Sequence, residues 1–200
     1  VDRRGRFSPE PALQVLERLA PDIVALQEVE DRSWQGGQSL QWLAERGGWD
    51  VWAGPTLLRG ESRYGNAVLA RLSATRIARH ELTVLSSDYE PRGLMEIEFE
   101  HRSGPLRVLA THLGLKRWER QIQIERLLGV LGDRVPERVD LLAGDFNEWL
   151  PTAGCLKRID AEFDCRTRGA TFPARRPLFA LDRIWIRPGH RFSASGIARL

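Results

Sequence analysis

The segment Asp145-Phe146-Asn147 places a carboxylate and a carboxamide directly after the apolar run 139–143. Residues two apart in an extended chain point to the same side, so Asp145 and Asn147 would face one target while Phe146 turns into the core. A carboxylate can accept a proton from water, and an amide can donate a hydrogen bond to an anionic oxygen. Taken alone, the segment is equally typical of a polar strand end followed by a turn.

The same pattern occurs at two other apolar runs. Run 23–26 ends in Gln27-Glu28, and run 106–110 ends in Thr111-His112. Polar groups at the carboxyl ends of strands are where α/β sheets build their sites. Three endings that together supply Glu, His and Asp/Asn therefore predict a site that binds a metal ion or moves a proton.

The composition is that of one ordinary globular domain of 200 residues with 42% hydrophobic residues. No run approaches the roughly 20 apolar residues of a membrane span. The 30 basic and 27 acidic residues give a net charge of +3, which permits an anionic substrate without requiring one. Cys155 and Cys165 have neither metal-ligand spacing nor a disulfide pattern, so we expect a reducing compartment. We also expect a cytoplasmic protein and a monomer.

Helical and strand patterns alternate along the chain. Apolar and alternating runs predict strands at 23–28, 66–70, 95–99, 106–110, 139–143 and 181–186. Amphipathic patterns with end signals predict helices at 9–19, 39–46 and 117–131, and glycines predict loops at 36–37 and 54–60. This mixture predicts an α/β fold in which two β-sheets pack face to face and helices cover the outside.

Five short motifs occur in the order found in one large superfamily. They are Leu26-Gln27-Glu28, Gly65-Asn66-Ala67, Thr111-His112-Leu113, Gly144-Asp145-Phe146-Asn147 and Leu181-Asp182-Arg183-Ile184. Over nearly its whole length the chain resembles the endonuclease/exonuclease/phosphatase superfamily. Segments 112–115, 145–149 and 171–173 are especially similar to a bacterial branch that is encoded near cardiolipin synthases. The resemblance implies a four-layer α/β sandwich and Mg²⁺- or Mn²⁺-dependent cleavage of a phosphate ester.

The resemblance also implies roles for five polar side chains. Glu28 matches the metal-binding glutamate, and Asp145 matches the residue that orients or deprotonates the attacking water. Asn147 matches the amide that hydrogen-bonds the phosphoryl oxygens, and His112 matches a phosphate-contacting histidine. Asp182 matches the aspartate that hydrogen-bonds a catalytic histidine and fixes its tautomer.

Four further residues are expected to contact the substrate: Asn66, Arg92, Tyr64 and Trp149. Asn66 would line the pocket, although a role at a turn or strand start is nearly as compatible with its position. Arg92 sits where relatives carry an arginine near the substrate, and an exposed surface arginine is the competing interpretation. Trp149 follows the catalytic segment and is the best candidate for stacking on a substrate.

Two parts of the superfamily pattern have no counterpart between Val1 and Leu200. One is a first strand with an asparagine metal ligand, and the other is a Ser-Asp-His motif whose histidine would pair with Asp182. We therefore expect residues 1–200 to be a single domain that lacks the first and last strands. We also expect it to be a fragment of a longer gene product, with little activity by itself.

Three functions remain open at this point. The first is a metal-dependent phosphodiesterase that acts on a nucleic acid, a phospholipid head group or a small diester. A DNA endonuclease or exonuclease would need a concentrated basic ridge, for which Arg3-Arg4-Gly5-Arg6 and Arg175-Arg176 are the small candidate clusters. The third is a catalytically silent module that binds phosphate esters. A lipid substrate would need an exposed apolar rim beside the site.

Overall fold

The computed structural model describes residues 7–84, 90–191, 193 and 196. The predicted cluster Arg3-Arg4-Gly5-Arg6 lies outside these residues. The elements are α1 (Glu10–Leu19), β1 (Ile23–Asp31), β2 (Ser33–Trp34), β3 (Gly37–Gln38), α2 (Ser39–Gly47), β4 (Asp50–Arg59), β5 (Ser62–Ala70), β6 (Ala74–Glu81), β7 (Gly93–His101), β8 (Gly104–His112), α3 (Arg117–Leu131), β9 (Val139–Asp145), α4 (Gly154–Glu162), β10 (Cys165–Arg166), β11 (Asp182–Arg187) and a 3₁₀ turn (Gly189–Arg191).

Most strands belong to two sheets. One sheet has three strands in the order β1-β5-β4, and the other has six in the order β10-β11-β9-β8-β7-β6. Within the described part of the chain, β8 and β9 form the parallel pair and the other strand pairings are antiparallel. Helix α3 makes the crossover that a parallel pair requires.

Three hydrophobic clusters separate four layers. Helices α1 and α2 cover the outer face of the three-stranded sheet through Leu16, Leu43 and their neighbours. A second cluster, which includes Val68 and Ile97, fills the space between the two sheets. Helices α3 and α4 cover the outer face of the six-stranded sheet. The predicted four-layer α/β sandwich is therefore confirmed.

Strand β8 shows why some strands read as continuous apolar runs. Val108 and Ala110 face the inter-sheet core, whereas Leu109 faces α3 and α4. All three side chains are fully buried. Because both faces of this strand are covered, alternation between polar and apolar residues disappears until the strand ends at His112.

The loop predicted at 54–60 is wrong, because β4 runs from Asp50 to Arg59. Pro55 fits into this strand because β4 lies at a sheet edge and its pairing with β5 shifts register between Pro55 and Leu57. The loop predicted at 36–37 is partly wrong. Gly36 is in a turn with φ of 86°, but Gly37 begins β3 of a short hairpin.

Strand β1 lies at the other edge of the three-stranded sheet. The first and last strands that the resemblance implies stay a prediction. None of the helices in the described ranges is long and apolar enough to cross a bilayer.

Candidate active site

His112, Asp145 and Asp182 form one row across three neighbouring strands. In the six-stranded sheet, His112 of β8 is paired with Asp145 of β9, and Asp145 is paired with Asp182 of β11. Directly paired residues point to the same face of a sheet, which here is the face toward the other sheet. The structure thus brings together three of the predicted residues, which we call the site row.

Gly144 allows the strands of the site row to come close. A Cβ atom at this position would collide with the carbonyl oxygen of Thr111 on β8. Glycine is therefore required immediately before Asp145, and the Gly-Asp order in the sequence has a steric cause.

A β-bulge positions Glu28 at the end of β1. Leu26 pairs with Ala67 and Val29 pairs with Gly65, so Gln27 and Glu28 together oppose the single residue Asn66. Glu28 has a φ of 56°, which is the left-handed conformation typical of such bulges. The bulge therefore changes the direction in which this exposed carboxylate points.

Tyr64 lies on β5 beside Glu28. Burial and a hydrogen bond with Glu28 raise the pKa of Tyr64 to about 12. The phenol therefore keeps its proton at neutral pH and donates a hydrogen bond to the Glu28 carboxylate. Arg59 covers the ring of Tyr64, with 3.6 Å between its guanidinium carbon and the ring centroid.

Asn66 links the two sheets next to the site. It lies inside β5, is buried, and its Nδ2 donates a hydrogen bond of 3.3 Å to the carbonyl oxygen of Gly93 on β7. The alternative role at a turn or strand start is therefore wrong.

Arg92 contacts His112 from the segment that precedes β7. Arg92 is only 8% exposed, so the interpretation as a surface arginine is wrong. Its Nη1 lies 3.3 Å from His112 Nδ1 and 3.1 Å from the carboxylate of Glu90. Glu90 also pairs with Arg59. Glu90 was not predicted as a site residue. The one indication in the sequence was its position two residues before Arg92.

His112 is a neutral imidazole at physiological pH. Burial and the nearby Arg92 charge lower the pKa of His112 to about 4. Nδ1 lies 3.3 Å from Arg92 Nη1 and Nε2 lies 3.0 Å from Asn147 Nδ2, so each ring nitrogen faces a hydrogen-bond donor. Nε2 also lies 3.8 Å from Asp145 Oδ2, beside the site row.

Asn147 adopts a turn that returns its amide to the site. Its φ is 48°, and its backbone N–H donates to Asp145 Oδ1 over 2.8 Å. Its Nδ2 donates to the Leu113 carbonyl oxygen over 2.9 Å and lies 3.0 Å from His112 Nε2. Phe146 is fully buried, as the alternation predicted.

Arg and Lys side chains of the described residues do not hold the site carboxylates in ion pairs. Among the ion pairs of the described residues, none joins Glu28, Asp145 or Asp182 to an Arg or Lys. Burial raises the pKa of Asp145, and the negative charges of Asp182 and Glu28 raise it further. A carboxylate with a raised pKa is a stronger proton acceptor.

In the described ranges, no group of three or more His, Cys, Asp or Glu side chains converges as a preformed metal cage. The oxygen donors nevertheless fit Mg²⁺, which prefers oxygen ligands and keeps several waters, so one or two carboxylates suffice. Glu28 is exposed, and its negative charge acts on Asp145, where it helps to raise the pKa of that carboxyl group.

Asp182 does not show the histidine contact implied by the resemblance. In the part of the chain that the structure describes, no histidine hydrogen-bonds to its exposed carboxylate. The backbone at Asp182 is instead held by Thr171, for which the sequence predicted no role. Thr171 Oγ1 accepts hydrogen bonds from the backbone N–H groups of Leu181 and Asp182, at 3.2 and 3.1 Å.

Trp149 lies at the rim rather than inside the site. It is 44% exposed and makes edge-to-face contacts with Phe172 and Phe179. Two other tryptophans pack inside the fold, since Trp49 is buried and Trp52 contacts Phe99.

Residues 4–199 match the model of the Endonuclease/Exonuclease/phosphatase family, and the chain belongs to this family. The uncharacterized protein YbhP of Escherichia coli is 28% identical over 91% of this chain and 78% of its own length. Members of the family are usually hydrolases that act on phosphate ester bonds.

Solved structures share the fold. An endonuclease/exonuclease/phosphatase from Beutenbergia cavernae superposes with a TM-score of 0.71 and 22% identity, over 92% of this chain. This chain spans only 60% of that protein's length. The Bacteroides thetaiotaomicron mannosyl-6-phosphatase superposes with a TM-score of 0.67 and 14% identity, over 90% of this chain and 76% of its own.

Proposed function

We propose that this protein is a Mg²⁺- or Mn²⁺-dependent phosphodiesterase. The observation that carries the proposal is the site row, where two unpaired carboxylates lie beside a neutral histidine that contacts a buried arginine. Family membership and the mannosyl-6-phosphatase neighbour support hydrolysis of a phosphate ester.

Asp145 is proposed as the group that receives the proton of the attacking water. The water oxygen would bond to phosphorus as the bond to the leaving alcohol breaks, and solvent would protonate the departing oxygen. The raised pKa of Asp145 suits a proton acceptor. Glu28 would hold the cation, which supplies positive charge to the phosphate oxygens when bound.

His112, Asn147 and Arg92 are proposed to stabilise the phosphoryl group. The imidazole of His112 and the amide of Asn147 lie next to each other and would contact the phosphate oxygens, where negative charge develops. Arg92 Nη1 lies 3.3 Å from His112 Nδ1 and would orient the imidazole ring. Tyr64 and Asn66 would shape the opposite wall of the pocket, and Trp149 would lie at its mouth.

The test is hydrolysis of bis(p-nitrophenyl) phosphate in the presence of Mg²⁺ by the longer gene product, because residues 1–200 alone are expected to have little activity. We expect Asp145→Ala and Glu28→Ala to remove activity while the circular dichroism spectrum stays unchanged. Asp164→Ala is the matched control, because Asp164 is an acidic residue of an exposed ion pair with Arg134 and should retain activity. Wild-type rates in either site variant would overturn the proposal.

The same assay separates the alternatives. Binding of the diester without turnover would favour a silent binding module. Cleavage of DNA in strong preference to the small diester, with steep salt dependence, would favour a nuclease. Faster hydrolysis of p-nitrophenyl phosphate than of the diester would favour a phosphomonoesterase.

A further inference from the structure

An exposed apolar surface lies at the mouth of the candidate active site. It consists of Trp149, Leu150, Phe172, Leu178 and Phe179, which we call the rim patch. Leu178 is 75% exposed and Leu150 is 61% exposed. Side chains of this size seldom cluster on the surface of a monomer without a partner, so the rim patch marks an interaction surface.

The rim patch is built on the residues that position the site row. Trp149 follows Asp145 by four residues, and Phe179 precedes Asp182 by three. Thr171 Oγ1 ties the strand end at Asp182 to the segment that carries Phe172, and Phe172 pairs with Phe179 as an antiparallel bridge. Whatever covers the rim patch therefore lies next to the site.

Basic side chains surround these apolar groups. Arg175 and Arg176 are exposed between Phe172 and Leu178. A second exposed segment, Leu115-Lys116-Arg117-Trp118, joins the same region. Arg120 connects this segment to the residue that precedes Trp149. Its Nη1 donates to the Leu115 carbonyl over 2.7 Å, and its Nη2 donates to the Glu148 carboxylate over 2.8 Å. Segments 115–118, 149–153 and 171–181 contain no acidic residue.

We propose that the rim patch docks on the surface of an anionic phospholipid bilayer. Aromatic and aliphatic side chains interleaved with Arg and Lys are the chemistry that binds the headgroup region of such a membrane. Docking would hold the candidate site against lipid headgroups, so the phosphate ester would belong to a phospholipid. Only this last step rests on the proposed function; the docking itself does not.

The geometry disfavours two other occupants. A nucleobase stacks on a single aromatic face, whereas the rim patch combines three rings packed edge to face with two leucines into a broad apolar surface. A second copy of the chain in a symmetric dimer would bring the basic surface around Arg175 and Arg176 against the same basic surface of its partner.

The test is co-sedimentation with vesicles of phosphatidylcholine alone, or mixed with phosphatidylglycerol, without added metal. We expect the protein to partition at least tenfold more strongly onto the anionic vesicles. Arg175→Gln/Arg176→Gln should weaken partitioning roughly thirtyfold. Its charge-matched control is Arg18→Gln/Arg102→Gln, because these exposed arginines precede β1 and β8 at the opposite end of the strands.

The apolar contribution is tested with Leu178→Asp. We expect this variant to lose most vesicle binding but to hydrolyse soluble bis(p-nitrophenyl) phosphate at the wild-type rate. Val135→Asp is its control, because Val135 is 42% exposed in the loop before β9, at the far end of that strand.

Three results would overturn the docking proposal. They are equal losses of binding in Leu178→Asp and Val135→Asp, a wild-type dimer that Leu178→Asp dissociates without lipid, or binding of a single-stranded oligonucleotide that Leu178→Asp removes. Vesicle binding without hydrolysis of any phosphate ester would instead contradict the proposed function and leave the docking surface intact.

Discussion

Strands β8, β9 and β11 carry two cross-strand rows that have an aspartate in the middle but opposite surroundings. At one end is the site row of His112, Asp145 and Asp182. Five residues away along each strand is a second row of Arg107, Asp140 and Arg187, which we call the arginine row. An odd spacing places the two rows on opposite faces of the sheet.

The arginine row is a closed network. Asp140 is 1% exposed and accepts hydrogen bonds of 2.8 Å from Arg107, Arg138 and Arg187. These guanidinium groups hold the pKa of Asp140 below its usual value. Arg107 also donates to the Leu131 carbonyl oxygen at the end of α3, so the row fastens this helix to the sheet.

The site row is open by contrast. Asp145 has a raised pKa and no arginine partner within the described ranges, and its neighbour His112 is neutral. Strand β9 thus carries two aspartates in different settings. Asp140 anchors the structure, whereas Asp145 has no arginine partner among the described residues. On the proposed function, a bound cation would supply the counter-charge of the site carboxylates, and leaving them unpaired would lower the stability of the free protein.

The largest expected effect is a loss of activity when an aspartate of the site row is replaced. Asp145→Asn should lower kcat for the diester by about 10³-fold, because the proton acceptor is lost. Its urea midpoint should be equal to or above that of the wild type, since an unpaired, partly buried charge has been removed. A fall in the midpoint would show that Asp145 is an anchor like Asp140.

Asp140→Ala should have the opposite profile in urea unfolding. We expect a loss of about 3–5 kcal/mol, because buried arginines lose their counter-charge. Asp164→Ala breaks the exposed pair with Arg134 and should cost less than about 1 kcal/mol. Comparable losses in the two variants would contradict the role assigned to the arginine row.

His112 should make stability depend on pH. Its folded pKa of about 4 lies below the ordinary 6.5, so the folded protein binds fewer protons than the unfolded chain between these values. The resulting contribution of His112 to the free energy of unfolding is fully present above pH 6.5. It is lost as the pH falls toward 4, and the total loss is roughly 3 kcal/mol. The wild type should therefore lose more stability than His112→Gln between pH 7 and pH 4, and equal losses would contradict the shift.

Tyr64→Phe should have the smallest effect. Phenylalanine keeps a ring beneath Arg59 but removes the hydroxyl that donates to Glu28. We expect Mn²⁺ affinity, measured by titration calorimetry, to fall about two- to tenfold. Unchanged affinity would mean that this hydrogen bond does not orient Glu28.

The sequence predicts the ends of strands better than their connections. The apolar runs indicated where Glu28, His112 and Asp145 would lie, because a strand covered on both faces is largely apolar up to its end. Asp182 begins β11, and only the resemblance indicated it. The bulge at Glu28 could not be predicted, since it depends on the register with β5. Strand β4 was missed because Gly54 and Pro55 are typical of loops, although a sheet edge tolerates them.

Contacts between distant segments were also beyond the sequence. Arg107 and Arg187 meet Asp140 across 33 and 47 residues, and no local pattern marks them as partners. The burial of Arg92 and the clustering of Trp149 with Phe172 and Phe179 likewise arise from tertiary packing.

The most direct test of the unpaired site charges is thermal unfolding with and without Mn²⁺. We expect Mn²⁺ to raise the Tm of the wild type and of Asp164→Asn. The double variant Glu28→Gln/Asp145→Asn should be at least as stable as the wild type without metal and should not respond to Mn²⁺. An equal response in the double variant, or no response in the wild type, would contradict the claim that these carboxylates are held for a divalent cation.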